Sequence, residues 1–328
     1  MPVYNGAGYL REAMDSIFAQ TYTDFEFLVV NDGSTDSSAA ILESYSDPRL
    51  RVIHKQQNQG LIATLNEGLD ACSGEYIVRM DADDISLPDR IERQVAFLDE
   101  RPEVGLCGSW FEDFGPGIPG RIIRYSTSDT EIRIRHLYQT HIAHPTAILR
   151  KSLLEKFNLR FDPLYVHGED YHFWVCMSRH CKMSNLPEVL VRKRDHPANV
   201  SNRYAEIQRN TCNRVKRLQF AEMGVEIDAE EAEMYSRFAN TEWNFREEEM
   251  PDLVNLLHRI ESANQKSRFI DPIAFTSYLA AKWFHLCLNN AGWGRQRMSI
   301  FKSLSFRKVY PARMKSKASM LMKTLIGS

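Results

Sequence analysis

Acidic side chains are missing from the last part of this 328-residue chain, where neither Asp nor Glu follows Asp271. That stretch holds ten of the 41 Lys and Arg residues, so the first 271 residues carry 31 basic and 43 acidic side chains. The whole chain has a formal net charge of −2, which argues against a protein that binds nucleic acid through a broad basic surface. A hydrophobic content of 43% with 26% charged residues excludes an intrinsically disordered chain.

Three other signals are missing. The six Cys residues include no C-x-x-C pair, which argues against a zinc knuckle or a disulfide framework. No run reaches about 18 consecutive apolar residues, so the sequence predicts no membrane-spanning helix. The chain opens on MPVYNGAGYL, without the basic and then apolar pattern of a secretory leader. We therefore expect a cytoplasmic protein with reduced thiols.

Short apolar strands alternate with helical patterns through the first hundred residues. The strands are predicted at Phe25–Asn31, Leu50–His54 and Tyr76–Met80, with amphipathic helices between them. This alternation, with short connections, predicts an α/β fold with a mostly parallel sheet covered by helices on both faces. From about Arg203 onward the pattern is helical almost throughout, so we predict one domain over 1–201 and a helical C-terminal region over 202–328.

A polar segment follows each of these strands, at Asp32–Ser37, Asn58–Gly60 and Asp81–Asp84. Open α/β sheets bind ligands beyond the carboxyl ends of their strands, so we expect the three segments at one edge. Asp81, Asp83 and Asp84 repel one another, and a hard divalent cation would offset that repulsion. Taken alone, a D-x-D sequence is a weak signal, because exposed acidic loops are common.

Three more candidate sites, with carboxylate or imidazole side chains, allow two interpretations each. Asp32 could accept a hydrogen bond from a nucleobase, or cap the helix that follows in an Asx-type turn. Glu169 and Asp170 begin a predicted helix, where acids favour the helix dipole, but either could also act as a general base. His196 follows a predicted strand and could be a metal ligand or an ordinary structural histidine.

Six short motifs, in this order, resemble the inverting family 2 glycosyltransferases of the GT-A fold, a Rossmann-like nucleotide-diphospho-sugar transferase architecture. The motifs are PVYN at Pro2–Asn5, VVNDGSTDSS at Val29–Ser38, NQGLIATLNEGL at Asn58–Leu69, MDADD at Met80–Asp84, GED at Gly168–Asp170 and RKRDHPANVS at Arg192–Ser201. Each motif is short, but the ordered set is specific.

The resemblance implies a role for each matching position. Asp170 would be the catalytic base, Asp83 would coordinate Mg²⁺ or Mn²⁺, and His196 would add a metal or diphosphate contact. Asp81 would face the ribose and diphosphate and contribute to the metal site. The nucleoside pocket would be lined by Pro2, Tyr4, Asn5, Asp32, Asn58, Gly60 and Asn66.

The resemblance also implies a reaction. The enzyme would move a hexosyl or N-acetylhexosaminyl group from a nucleotide-sugar donor, typically a UDP-sugar, to a hydroxyl of a saccharide or polyprenyl-linked acceptor, with inversion. Cell-surface polysaccharide biosynthesis is the expected setting. A non-catalytic nucleotide-sugar-binding protein should lose GED or DAD, and a nucleotidyltransferase should carry a Gly-rich, Lys-bearing loop near the N-terminus. Neither pattern is found.

Two further expectations concern the ends of the sequence. Family members carry a β-strand directly before PVYN, so we expect an upstream extension of about ten residues that supplies it. The basic C-terminal tail mixes aromatic residues with its ten cations. It is either a solvated helical cap or a peripheral contact with an anionic membrane at its inner face.

Overall fold

The computed structural model describes residues 1–196, 199, 203–242 and 244–289. The chain forms two compact units. The first comprises Met1–His136 and Thr140–Val215, and the second comprises Leu137–Gln139 with the described residues from Lys216 onward. The predicted α/β class is confirmed. The domain boundary predicted after residue 201 stays a prediction.

A three-stranded parallel sheet, in the order β1-β2-β3, carries the N-terminal motifs. Its strands are β1 (Pro2–Val3), β2 (Phe27–Asn31) and β3 (Leu50–His54), and its helices are α1 (Leu10–Phe18), α2 (Ser38–Glu43) and α3 (Leu61–Ala71). Every residue of β2 is buried, as its continuous apolar run predicts. Leu10, Met14 and Ile17 of α1 are buried in one apolar cluster with Val29 of β2.

A six-stranded mixed sheet carries the acidic loop and the later motifs. Its strands are β4 (Tyr76–Val78), β5 (Ile85–Ser86), β6 (Val104–Gly115), β7 (Ile118–Ile123), β8 (Ile148–Arg150) and β9 (Lys182–Arg194). The order is β4-β8-β6-β9-β5, with β7 paired to β6. The helices of this part are α4 (Arg90–Glu100), α5 (Asp129–His136), α6 (Lys151–Phe157) and α7 (Glu169–Ser178).

Pairing in the larger sheet differs from the simple parallel pattern that the strand–helix alternation suggested. Only β6 and β9 run parallel there, and the other pairs are antiparallel. Strand β4 therefore joins β8 and not the N-terminal sheet. The two-residue strand β5 pairs with the end of β9, which brings the loop at Asp81–Asp84 beside Asp195 and His196.

The second unit is helical, as predicted for the C-terminal region. After α8 (Ala205–Met223), within which the division between the units falls, come α9 (Ala229–Ala239), α10 (Met250–Ser267) and α11 (Pro272–Asn289). Phe220, Tyr235, Phe238 and Trp283 are buried in this unit. Among the described helices, none is both long and apolar enough to cross a membrane. The basic residues of the tail beyond 289 lie outside the described residues.

A cavity of about 510 Å³ lies between the edges of the two sheets. Met1, Leu28 and Val30 line it from one sheet, and β4 lines it from the other. The residues just before and just after β4 form backbone hydrogen bonds with residues that flank β8. Because the backbone groups of successive strand residues point in alternate directions, the N–H and C=O groups of Tyr76 and Val78 face away from β8. The Met1 ammonium donates to the Leu28 carbonyl oxygen over 2.8 Å, and burial lowers its pKa to about 6.

Extending the chain before Met1 with a Val- and Ile-rich, strand-forming run should raise the melting temperature. The run would replace a buried ammonium group with an amide and fill apolar space, and each kcal/mol gained adds roughly 2–4 °C in a protein of this size. Thermal melts followed by circular dichroism provide the measurement. A Gly-Ser extension of equal length is the control, since it removes the same charge without filling the cavity. Equal melting temperatures for the two would show that filling this cleft does not stabilise the fold.

Candidate active site

Three carboxylates meet in the loop between β4 and β5. One oxygen from each of Asp81, Asp83 and Asp84 lies within 4.8 Å of the others. Burial and neighbouring carboxylates raise the pKa of Asp83, and they raise that of Asp84 well above its usual value. The ionised cluster is therefore under electrostatic stress, which a bound divalent cation would relieve.

His196 completes this cluster from the end of β9. Its Nε2 atom lies 3.0 Å from Oδ2 of Asp83, although 113 positions separate the two residues in the sequence. The imidazole also packs on the Tyr9 ring, with 4.9 Å between the ring centroids. Sequence reasoning assigned both residues to one metal site, and the fold brings them together. Their role as metal ligands stays a prediction.

Arg194 fixes the acidic loop against β9. Its backbone N–H donates to Oδ1 of Asp84 over 2.7 Å, and its Nε donates to the carbonyl oxygen of Asp83 over 2.8 Å. The guanidinium also lies over the rings of Tyr9 and Phe114, at 4.6 and 4.5 Å from their centroids. Asp84 is thus committed to holding the loop, while Asp83 faces His196. Sequence reasoning missed Arg194, although the RKRDHPANVS motif contains it.

Arg79 is a second residue that sequence reasoning missed. It forms an ion pair with Asp81 and is only 8% exposed. Its backbone is fixed on both sides, because its N–H donates to the carbonyl oxygen of Ala147 and its own carbonyl oxygen accepts from Arg90 Nη2 at 2.7 Å. The signal was a cation inside the apolar run YIVRM, where an unpaired charge would be costly.

The GED motif starts α7. A Cβ atom on Gly168 would lie 2.8 Å from Cγ2 of Thr211, so only glycine fits there without displacement. Oδ1 of Asp170 accepts the Tyr171 N–H at 2.7 Å. Burial raises the pKa of Asp170, which the Tyr171 hydrogen bond and the charge of Arg79 oppose. Burial and the charge of Asp170 raise the pKa of Glu169 to about 7.

Asp32 is more tightly engaged than its proposed contact with a base suggests. It is only 3% exposed, and its two oxygens accept the N–H groups of Gln59 and Gly60 at 3.0 and 2.9 Å. The Lys55 ammonium lies 3.1 Å from the same carboxylate. Asp32 therefore anchors the loop after β3 in this structure. Its contact with a nucleobase stays a prediction.

The loop after β1 is joined to the loop after β2. The side chain of Asn5 accepts the Thr35 N–H at 2.8 Å, and the Asn5 N–H donates to Oγ of Ser34 at 3.0 Å. Asn5 has a φ of +50°, a conformation that Asn tolerates better than most residues. Tyr4 is 52% exposed beside it, and Pro2 lies in β1. These residues form one wall of the predicted nucleoside pocket.

The remaining predicted pocket residues differ in their surroundings. Asn66 uses its side-chain amide on the backbone N–H and C=O of Phe161, with both hydrogen bonds at 2.8 Å. These hydrogen bonds tie α3 to the chain at Phe161, and the role of Asn66 in the nucleoside pocket stays a prediction. Asn58 is exposed. Gly60 directly precedes α3 and has a φ of +89°. That left-handed conformation favours glycine.

Comparisons with known proteins show the family of this chain. The family model described as Glycosyl transferase family 2 matches residues 1–157. An uncharacterized glycosyltransferase of Haemophilus influenzae is 37% identical over 227 residues, which cover 65% of this chain and 70% of the relative. One from Rickettsia typhi is 34% identical over 62% of this chain and 64% of its own length. The chain belongs to the family 2 glycosyltransferases.

Solved structures support the fold as well. S. aureus TarS 1-349 in complex with UDP-GlcNAc matches with a TM-score of 0.57 and 20% identity, covering 92% of this chain and 89% of that one. The same TarS fragment in complex with UDP matches with a TM-score of 0.54 and 20% identity, over 95% and 91% of the two chains. The expected GT-A fold is thereby confirmed.

Replacing Arg79 by Met should move the acid limb of the kcat/KM profile to higher pH by roughly one unit. The family resemblance makes Asp170 the expected base, and a base must be ionised to act, so activity should fall as the pH drops through the pKa of Asp170. Loss of the guanidinium charge lets that pKa rise further. Initial rates measured from about pH 5 to 9 test this shift. Arg93→Met, in an exposed pair with Glu188, is the control. A lower rate with an unshifted profile would show that Arg79 does not act through the pKa of Asp170.

Proposed function

We propose that this glycosyltransferase moves a hexosyl or N-acetylhexosaminyl group from a UDP-sugar to an acceptor hydroxyl, with inversion and with a divalent metal. The position of Asp170 is the observation that carries the proposal. Its carboxylate sits at the start of α7, and its pKa responds to both Arg79 and Asp81. The charges of Arg79 and Asp81 thus reach Asp170, which supports the proposal that the base and the acidic cluster act on one substrate.

The donor side of the site combines the N-terminal loops with the acidic loop. Asn5 and Tyr4 offer a polar and an aromatic side chain beside the end of β2, and Ala82 packs near Gly6. A nucleoside bound at these loops would direct its diphosphate toward Asp81. TarS shares this fold and was solved with UDP-GlcNAc and with UDP, so uridine nucleotides are the first donors to test.

Asp83 and His196, together with Asp81, would hold Mg²⁺ or Mn²⁺. Carboxylate oxygens and an imidazole nitrogen suit such an ion, and a bound cation would oppose the burial and the Asp81 charge that raise the pKa of Asp83. The bound ion would offset the charge that develops on the departing diphosphate.

At the other end of the site, Asp170 would take the proton of the acceptor hydroxyl. The acceptor oxygen forms a bond to the anomeric carbon while the bond from that carbon to the diphosphate oxygen breaks. A single displacement of this kind inverts the anomeric centre. The Tyr171 N–H keeps Asp170 oriented by donating to Oδ1, which leaves Oδ2 for the proton.

We propose a saccharide or polyprenyl-linked saccharide as the acceptor, in the biosynthesis of a cell-surface polysaccharide. Peripheral location at the inner face of a membrane would suit such an acceptor. The alternative function is that of a nucleotide-sugar-binding protein without catalytic activity. The pairing of Asp83 with His196 and the intact GED sequence disfavour this alternative.

Asp170→Asn should lower the transfer rate by about 10²–10⁴ and leave donor affinity nearly unchanged, since the amide keeps the shape but cannot accept the proton. A coupled assay for released nucleoside diphosphate gives the rate, and calorimetry gives the affinity. Glu169→Gln is the matched control because it neutralises the neighbouring acid of the same motif. Near-normal transfer by Asp170→Asn, or equal loss in both variants, would refute Asp170 as the base.

Asp83→Ala should abolish the metal-dependent part of donor binding. Calorimetry with UDP and UDP-GlcNAc, with and without Mn²⁺, provides the measurement. Asp89→Ala serves as control, since Asp89 is an exposed carboxylate near the loop whose side chain makes no capping hydrogen bond. If Mn²⁺ strengthens donor binding equally in wild type and Asp83→Ala, the metal is not bound through Asp83.

A further inference from the structure

An exposed apolar surface lies just before the GED motif. Seven large hydrophobic residues are exposed within the described part of the chain, and four of them belong to this surface. They are Leu164 (64% exposed), Val166 (45%), Tyr204 (39%) and Ile207 (48%), which we call the apolar shelf. Single exposed apolar residues are ordinary, but a contiguous group usually marks an interaction site.

The shelf is held in place by the first turns of α8. Oγ1 of Thr211 donates to the carbonyl oxygen of Val166 at 2.8 Å, and Nη1 of Arg214 donates to that of Leu164 at 2.9 Å. The rings of His167 and Tyr204 stack at 4.4 Å with an interplanar angle of 11°. The shelf therefore presents its apolar side chains in a fixed arrangement.

The aromatic rings of this region are already in contact with other groups. Tyr165 stacks on His172 at 3.7 Å and has the Arg214 guanidinium 5.0 Å from its centroid. Tyr204 contacts His167 and also lies 5.9 Å from the Arg203 guanidinium. What the shelf offers to a partner is thus mainly aliphatic. Aliphatic side chains are better suited to contact hydrocarbon than to bind a sugar. A sugar ring is bound by the face of an aromatic side chain together with hydrogen bonds.

Two exposed arginines border the aliphatic side chains. Arg214 lies seven positions after Ile207 and so on the same side of α8, and Arg203 is placed by its contact with Tyr204. Two acids are also near. Asp162 accepts the Leu164 N–H at 2.8 Å, and Glu206 is turned about 100° around the helix from Ile207. Arg214 thus shares the helix side of Ile207, whereas Glu206 points to a different side.

We propose that the apolar shelf docks the protein on an anionic lipid bilayer. Leu164, Val166 and Ile207 enter the boundary between headgroups and acyl chains, and Arg203 and Arg214 contact lipid phosphates. Exposed aliphatic side chains bordered by Tyr and Arg are the composition of helices and loops that lie in this boundary. Burial lowers the pKa of His167, so its ring enters this layer uncharged near pH 7.

The location of the shelf gives docking a purpose. Only three residues separate Val166 from Asp170, so a bilayer at the shelf would bring a lipid-linked acceptor hydroxyl toward the proposed base. This step rests on the proposed function. Docking itself does not, because it can be measured without donor, acceptor or catalysis.

Vesicle co-sedimentation of the full chain tests the proposal. Wild type should bind vesicles of phosphatidylcholine with phosphatidylglycerol more strongly than vesicles of phosphatidylcholine alone. The double variant Leu164→Asp and Val166→Asp should partition about tenfold more weakly or worse, because two aliphatic side chains that would enter the bilayer become charged. Arg203→Gln should weaken binding to the anionic vesicles only. Ile273→Asp and Ile122→Asp change residues of 73% and 44% exposure elsewhere, and should bind as wild type does.

Several results would overturn docking through the shelf. Docking would be refuted if wild type did not bind vesicles, or if the double variant bound them as strongly as wild type. It would also be refuted if the two control variants lost as much vesicle binding as the double variant. A change of mass in analytical ultracentrifugation confined to the double variant would instead make the shelf an interface between copies. If the double variant does not fold, Val166→Ser with Ile207→Ser replaces it. If donor binding is retained in any of these cases, the proposed glycosyltransferase function still stands. If sugar transfer fails while vesicle binding is intact, only the proposed glycosyltransferase function is refuted.

Discussion

Repulsion among three carboxylates within 4.8 Å is the constraint around which this molecule is built. Each acid is matched by a different positive or hydrogen-bonding group, drawn from a different part of the sequence. Asp81 has Arg79, Asp83 has His196, and Asp84 has the backbone N–H of Arg194. The short strand β5 must therefore pair with the long strand β9 before the loop is stable. The arrangement of the three carboxylates thus depends on the strand order of the sheet.

Two of the proposed donor contacts follow the same design. Lys55, with a side chain only 5% exposed, lies beside Asp32, and Arg79, 8% exposed, lies beside Asp81. A buried cation beside a carboxylate restricts where that carboxylate points. Such pairs are weak contributors to net stability, but breaking one leaves the other charge uncompensated. Each pair therefore restrains the carboxylate that it contacts.

Local sequence patterns predicted the parts of the fold that depend on local chemistry. The apolar run ending at Asn31 is a buried strand, and the acids at Asp81–Asp84 follow a strand as expected. Patterns could not show that β4 pairs antiparallel with β8, because the pairing depends on residues seventy or more positions away. The two-residue strands β1 and β5 carry no periodicity at all. Arg79 interrupts an apolar run, but the sequence does not show that Asp81 is its partner. Arg194 was missed because the loop that it holds lies 110 positions away. Asp32 was expected to be more available than its three partners leave it.

The open cleft between the sheets has a consequence for hydrogen exchange. The backbone groups of Tyr76 and Val78 line this cleft and face away from β8. Amide groups outside a paired sheet exchange with solvent through smaller openings than those between paired strands. The amide hydrogens of Tyr76 and Val78 should therefore exchange with deuterium well before those between β6 and β9.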